Sequence, residues 1–175
     1  LIPVVSFVGN SGVGKTTFLE KLIPVLKERG YRLAAIKHDV HRFEVDYPGK
    51  DSWRLTQAGG DVVLLASAEK LAMIERLDDE RTLAELVAMV EDRVDLVLTE
   101  GYRGASAAKI EVSRRVCGSH LTARLDDLIA LVTDQSFSLP VPSFGLEDAS
   151  AVADFIEARF SLATPNRPWR GLAKA

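Results

Sequence analysis

The 175 residues are nearly half apolar (47%) and about a quarter charged (27%), which suits one globular domain with enough chain to bury a sizeable core. A net charge of −3 leaves no basic excess to neutralise nucleic-acid phosphates, and no apolar run is long enough to span a bilayer, so neither nucleic acid nor membrane is an expected partner. The single cysteine, Cys117, excludes an internal disulfide framework and points to a reducing, hence cytoplasmic, setting.

Residues 2–8 form a short apolar run rich in β-branched side chains, the pattern of a buried strand. Gly9-Asn10-Ser11-Gly12-Val13-Gly14-Lys15-Thr16 follows and spells the full phosphate-loop pattern, G-x-x-x-x-G-K-[ST]. Residues 17–29 carry Phe18, Leu19, Leu22, Ile23 and Leu26 at helical spacing. Strand, glycine-rich turn and helix thus stand in the order a phosphate site requires. The loop N–H groups, from Asn10, Ser11, Gly12, Val13 and Gly14, can converge on an anion at the positive end of the helix. Lys15 should reach the β- and γ-phosphates, and the Thr16 hydroxyl should ligate Mg²⁺.

A second strand is expected over 31–37, entered through Gly30 as a helix stop, then a long polar loop to Lys50. Residues 51–58 read as a short helix capped by Asp51 or Ser52. Residues 61–67 and 70–75 read as two strands of a hairpin, and 83–90 as a helix capped by Thr82. Strands follow over 95–99, 109–113, 128–133 and 141–144, and an amphipathic helix over 147–160. This alternation predicts an α/β fold of the P-loop NTPase three-layer type, with a mostly parallel sheet and the hairpin as an antiparallel addition. One domain is expected over residues 1–160, with 161–175 as a tail.

A phosphate site with Mg²⁺ needs a carboxylate at a strand end, and Glu100 is the best candidate, with Gly101 turning the chain directly after it. The loop from Lys37 to Asp51 begins at the same sheet edge. Lys37 and His38 could contact phosphates, and Asp39 or Asp51 could contact Mg²⁺ or position the attacking group. Asp134, after the strand at 128–133, stands where a carboxylate can accept from guanine N1–H and its exocyclic amine. The Asn and Lys that often precede such an Asp are replaced by Val132-Thr133.

Taken together, several segments resemble one family: residues 9–16, Lys37-His38-Asp39-Val40-His41, Asp46-Tyr47-Pro48-Gly49-Lys50-Asp51-Ser52, Ala58-Gly59, Thr99-Glu100-Gly101-Tyr102 and Lys109-Ile110-Glu111. They occur in the order seen in the molybdopterin-guanine dinucleotide biosynthesis protein B family, MobB. The Lys-His segment followed by Pro-Gly-Lys-Asp-Ser is the specific part. The resemblance implies a GTP-binding protein, usually a homodimer, that helps a molybdenum cofactor guanylyltransferase attach GMP to molybdopterin and hydrolyses GTP weakly at most. Molybdopterin itself is a further candidate ligand. Carried over to this chain, Gly12, Gly14, Lys15, Thr16 and Thr17 would hold phosphates and Mg²⁺, and Glu100 would be the metal-side carboxylate. Lys37, His38 and Asp51 would line the pocket, and Asp134 matches the family's Ser/Thr-Asp ending. Among these, Lys15, Asp51 and Glu100 are the candidates for any hydrolysis. Arg103 stands where the family commonly has lysine. A small-molecule kinase with a lid around Arg114, Arg115 or Arg124 is the alternative. A nickel- or cobalt-delivery GTPase using His38 and His41 is a more distant one.

Overall fold

A computed structural model describes residues 2–38, 45–163 and 165. In chain order the elements are β1 (Val4–Val8), α1 (Lys15–Glu28), β2 (Leu33–Lys37), α2 (Asp51–Gln57), β3 (Val62–Ala66), β4 (Leu71–Glu75), α3 (Leu83–Ala88), β5 (Leu96–Glu100), β6 (Ala108–Ser113), β7 (Leu128–Thr133), β8 (Ser143–Phe144) and α4 (Ala149–Phe160). They fall into two compact units, residues 2–38 with 83 onward and residues 45–82.

The first unit is built on a six-stranded sheet in the order β2-β5-β1-β6-β7-β8. Every pairing in it is parallel. Val5 and Phe7 of β1 alternate with Ser6 and Val8, so the odd positions share one face with Leu96, Leu98, Ile110, Val112, Ala130 and Val132. That face forms one core with Leu22 and Leu26 of α1 and Val152 and Ile156 of α4, all fully buried. Phe18 adds a ring contact to Phe7, with centroids 6.0 Å apart. α1 runs through Pro24, a residue that removes a helix hydrogen bond. Pro24 and Glu20, one turn earlier, both lie on the exposed side of α1, where the carbonyl that loses its partner is open to solvent and not sealed in the core. The helix stops at Gly30, whose φ of 92° is left-handed. Gly30 N–H donates to the Lys27 carbonyl and Tyr31 N–H to that of Leu26, a Schellman stop.

The other sheet face carries polar side chains that the strand pattern alone does not anticipate. The Thr99 hydroxyl donates to Ser6 Oγ at 2.8 Å, both fully buried. Lys109, also fully buried, donates to Asp127 at 2.9 Å and to the Ala105 carbonyl at 2.7 Å. The hydrogen bond from Lys109 pulls the Asp127 carboxyl below its usual range. A carboxyl lowered on folding contributes stability above its unfolded pKa, and that contribution disappears as pH falls through the folded value. Lys109→Met is expected to lower stability, because it removes the buried donor that ties the Ala105 carbonyl and Asp127 to β6. Urea denaturation measures this, and an unchanged midpoint would show that the buried ammonium contributes nothing net.

In the second unit β3 and β4 pair antiparallel, with Leu64 opposite Met73, which is the expected hairpin. Val63 is its buried side chain, while Val62, Leu64, Leu71 and Met73 are exposed. α2 begins at Asp51 with Lys50, not Asp51 or Ser52, at the cap position. Asp51 instead sits in the first turn, where its charge complements the helix dipole. Back in the first unit, the last strand is shorter than expected. Pro140 and Pro142 have no N–H to give to a ladder, so pairing is confined to Ser143 and Phe144.

Candidate functional site

The loop between β1 and α1 takes three left-handed glycines, Gly9 (φ 142°), Gly12 (φ 76°) and Gly14 (φ 94°). Gly14 is the N-cap of α1, and no side chain caps it. The first turn of α1 carries no acidic residue either. Its N–H groups therefore lie at the positive end of the helix dipole with no cap or carboxylate of the helix's own to neutralise them, the arrangement that binds an anion. Val13 is buried in the core and anchors the loop, so it can offer only its backbone. Ser11, Gly12, Thr16 and Thr17 are exposed. Asn10 Nδ2 donates to the His120 carbonyl at 3.1 Å, tying the loop to the segment after β6.

Lys15 folds back over the loop. Its Nζ donates to the Asn10 carbonyl at 2.9 Å and the Gly9 carbonyl at 3.2 Å. Burial lowers its pKa from the ordinary lysine value; Glu100 opposes that shift, while Arg103 and Lys37 add to it. Arg103 Nη2 also donates to the Gly9 carbonyl, at 2.6 Å.

Glu100 ends β5 next to β1, in register with Phe7 on one side and Lys37 on the other. Its Oε2 accepts from the Thr16 hydroxyl at 2.7 Å, and its Oε1 lies 3.9 Å from Lys37 Nζ. A hydroxyl and a carboxylate side by side at a phosphate loop form an all-oxygen pair, the donor chemistry of Mg²⁺. Directly after Glu100, Gly101 (φ 100°) and Tyr102 (φ 56°) are both left-handed. A Cβ on Gly101 would sit 3.1 Å from the His38 Cβ, so glycine allows the close approach of these two chains. The His38 and Tyr102 rings pack with centroids 4.6 Å apart.

Across the sheet, Asp134 follows β7. Its Oδ1 accepts from Arg115 N–H at 2.7 Å, and its backbone carbonyl accepts from Arg115 Nη2 at 3.1 Å. The structure thus brings Lys15, Thr16, Glu100, Lys37 and His38 together at one end of the sheet, with Asp134 two strands further along from β1. Asp51 belongs to the second unit, where it is exposed and 3.4 Å from Arg54. Its place in the pocket is an expectation of the loop pattern and of the resemblance. Asp39 and His41 lie outside the described residues.

Glu111 has a role that the linear pattern does not assign. It is buried in β6 and accepts from the N–H groups of Thr122 and Ala123, each at 2.6 Å. It pins the segment whose His120 carbonyl holds Asn10. Its alternation with Lys109 and Ser113 imitates a solvated strand face, so the linear pattern carries no signal for it.

The family model described as molybdopterin guanine dinucleotide synthesis protein B matches residues 4–134, the span from β1 to Asp134. The chain belongs to the MobB family. It is 37% identical over 161 residues to the molybdopterin-guanine dinucleotide biosynthesis adapter protein of Escherichia coli, covering 89% of this chain and 92% of that one. A protein of the same description from Haemophilus influenzae is 37% identical over 158 residues, covering 89% and 88%. The crystal structure of Bacillus subtilis MobB superposes with a TM-score of 0.74 at 27% identity, covering 89% of this chain and 97% of that one. The parallel sheet and phosphate loop are thus the P-loop NTPase fold of MobB structures, as the element order implied. The small-molecule kinase reading finds no support in these relatives.

Proposed function

We propose that this chain is a GTP-binding adapter that assists a guanylyltransferase in attaching GMP to molybdopterin, with slow GTP hydrolysis at most. The observation that carries the reading is the Thr16–Glu100 contact at a complete phosphate loop, in a chain of this family. Residues 10–14 would hold phosphate oxygens through backbone N–H groups, and Lys15 would leave the loop carbonyls for the β- and γ-phosphates. Thr16 and Glu100 would hold Mg²⁺, which neutralises phosphate charge when bound. Asp134 would read guanine, and Lys37 and His38 would line the phosphate end. Slow hydrolysis has a physical basis. The turn after Glu100 offers Gly101, Tyr102 and Arg103, and no glutamine that could orient water.

The acting form would be a homodimer in the cytoplasm. The apolar face made by Val62, Leu64, Leu71 and Met73 on the hairpin supports association with a second copy.

Two measurements test the reading. The first is equilibrium binding of GTP and ATP with and without Mg²⁺. The wild type should prefer GTP, with affinity rising on Mg²⁺ addition. In Glu100→Gln the Mg²⁺ enhancement should shrink by about tenfold, since a neutral amide is a poor ligand for a hard cation. Equal Mg²⁺ enhancement in the variant would remove Glu100 from the metal site, and equal ATP binding would remove Asp134 as a guanine reader. The second is formation of the dinucleotide by a guanylyltransferase supplied with molybdopterin, GTP and Mg²⁺. Addition of the chain should raise the yield, and no effect would sink the adapter role.

A further inference from the structure

Arg114 stands out among the cations around the phosphate loop. Lys15 and Arg103 donate to loop carbonyls, Arg115 donates to Asp134, and Lys37 lies near Glu100. Among the described residues Arg114 has no such partner: its Nε is sealed from solvent and makes no hydrogen bond with them. The guanidinium nevertheless lies against the loop. A Cβ on Gly14 would meet Arg114 Nη2, Cζ and Nε at 3.7, 3.8 and 3.8 Å. Three nearly equal distances mean that the flat face of the group is turned to Gly14. A buried donor with no acceptor in the free protein is costly and marks a place where an acceptor is supplied from outside.

The strand order says which acceptor. Arg114 follows β6, which lies between β1, with its phosphate loop, and β7, with Asp134. Glu100 and the Thr16 hydroxyl are on the opposite side of β1, at the end of β5. A nucleotide with its base at Asp134 and its metal-bound end at Glu100 crosses three strand spacings, about 14 Å. Arg114 comes one spacing from the base end, where the phosphate nearest the ribose passes.

We propose that Arg114 binds the α-phosphate of the guanine nucleotide and so strengthens GDP and GTP binding equally. The proposal rests on the GTP-binding reading above. An α-phosphate contact is blind to the γ-phosphate, so Arg114 serves retention of the nucleotide and not discrimination between its two states. The guanidinium is suited to this work, since its planar edge offers paired N–H donors to phosphate oxygens.

The test is calorimetric titration of the full chain with GDP and with GTP, each with Mg²⁺, comparing wild type, Arg114→Met and Arg114→Lys. Arg114→Met should weaken both nucleotides by about tenfold or more and leave their affinity ratio unchanged. Arg114→Lys should recover part of the loss through charge alone. The nucleotide-free melting temperature of Arg114→Met should be equal to or above wild type, because the variant removes an unpartnered buried donor. Unchanged affinities, or a loss confined to GTP, would overturn the α-phosphate assignment. A lowered melting temperature, with Arg114→Lys no better than Arg114→Met in binding, would make Arg114 a purely structural support and overturn it too. A wild type that binds neither nucleotide would instead overturn the GTP reading itself.

Discussion

Lys15→Ala is expected to weaken GTP binding by about a hundredfold while leaving the nucleotide-free protein folded. In the free protein the ammonium spends its donors on the Gly9 and Asn10 carbonyls, inside the loop it belongs to. It does so at a cost that its lowered pKa records, since burial disfavours the charged form. A bound phosphate would supply the negative charge that the free site lacks, so most of the interaction energy of Lys15 appears only with the nucleotide. Two pH effects follow from the same shift. Between the lowered value and the ordinary 10.5, the unfolded chain holds more protons than the folded one, so the stability of the nucleotide-free protein rises with pH in that window. GTP affinity runs the other way, because binding requires the ammonium. Calorimetric titration against pH, with Lys15→Ala as the control, separates the two. Retained GTP affinity in Lys15→Ala would remove the lysine from the site.

Gly9→Ala should be among the most destabilising single methyl additions in this chain. A Cβ at Gly9 would lie 2.3 Å from the Val112 carbonyl oxygen, which belongs to the central strand β6. A strand backbone paired on both sides cannot step aside for it. The φ of 142° adds a conformation that a side chain rarely adopts. Together these should cost about 3 kcal/mol or more. Gly12 is the natural control. It is also left-handed, at φ 76°, but a Cβ there meets nothing within 4 Å. Gly12→Ala should therefore cost only about 1 kcal/mol, the left-handed penalty alone. Urea denaturation of the two variants decides it: equal losses would mean that the clash at Gly9 is relieved at no cost.

These two glycines mark the division between what was legible and what was not. The pattern from Gly9 to Thr16 is local, and its neighbours, an apolar β-branched run and an amphipathic stretch, are local too. Local patterns suffice to read a strand, a turn and a helix, and so to find a phosphate loop. They also suffice for Glu100, because a carboxylate at the end of a buried run followed by glycine is a strand-end signal. The hairpin at β3 and β4 was readable from two short runs and the tight connection between them. The reason that Gly9, and not Gly12, has no room for a methyl group lies in β6, about a hundred residues further along the chain.

The buried polar residues escaped for the same reason. Lys109 and Glu111 look like the solvated half of an alternating strand. The 122–127 stretch gives each a partner, Asp127 for the first and the N–H groups of Thr122 and Ala123 for the second. Pro24 argues against a helix that the core nonetheless keeps, because Leu22 and Leu26 bury fully on either side of it.

The sequence by itself therefore determined the fold class, the family and the phosphate loop, since each is written in contiguous residues whose chemistry does not depend on distant neighbours. Only the tertiary structure decided which cations are spent on the protein and which stand unpartnered. Arg103 and Arg114 are both arginines following a strand, indistinguishable in a linear reading. One is bound to the Gly9 carbonyl, and the other lies against Gly14 with its Nε unpaired. The difference comes from the parallel order β5-β1-β6, which sets the two strand ends on opposite sides of one loop.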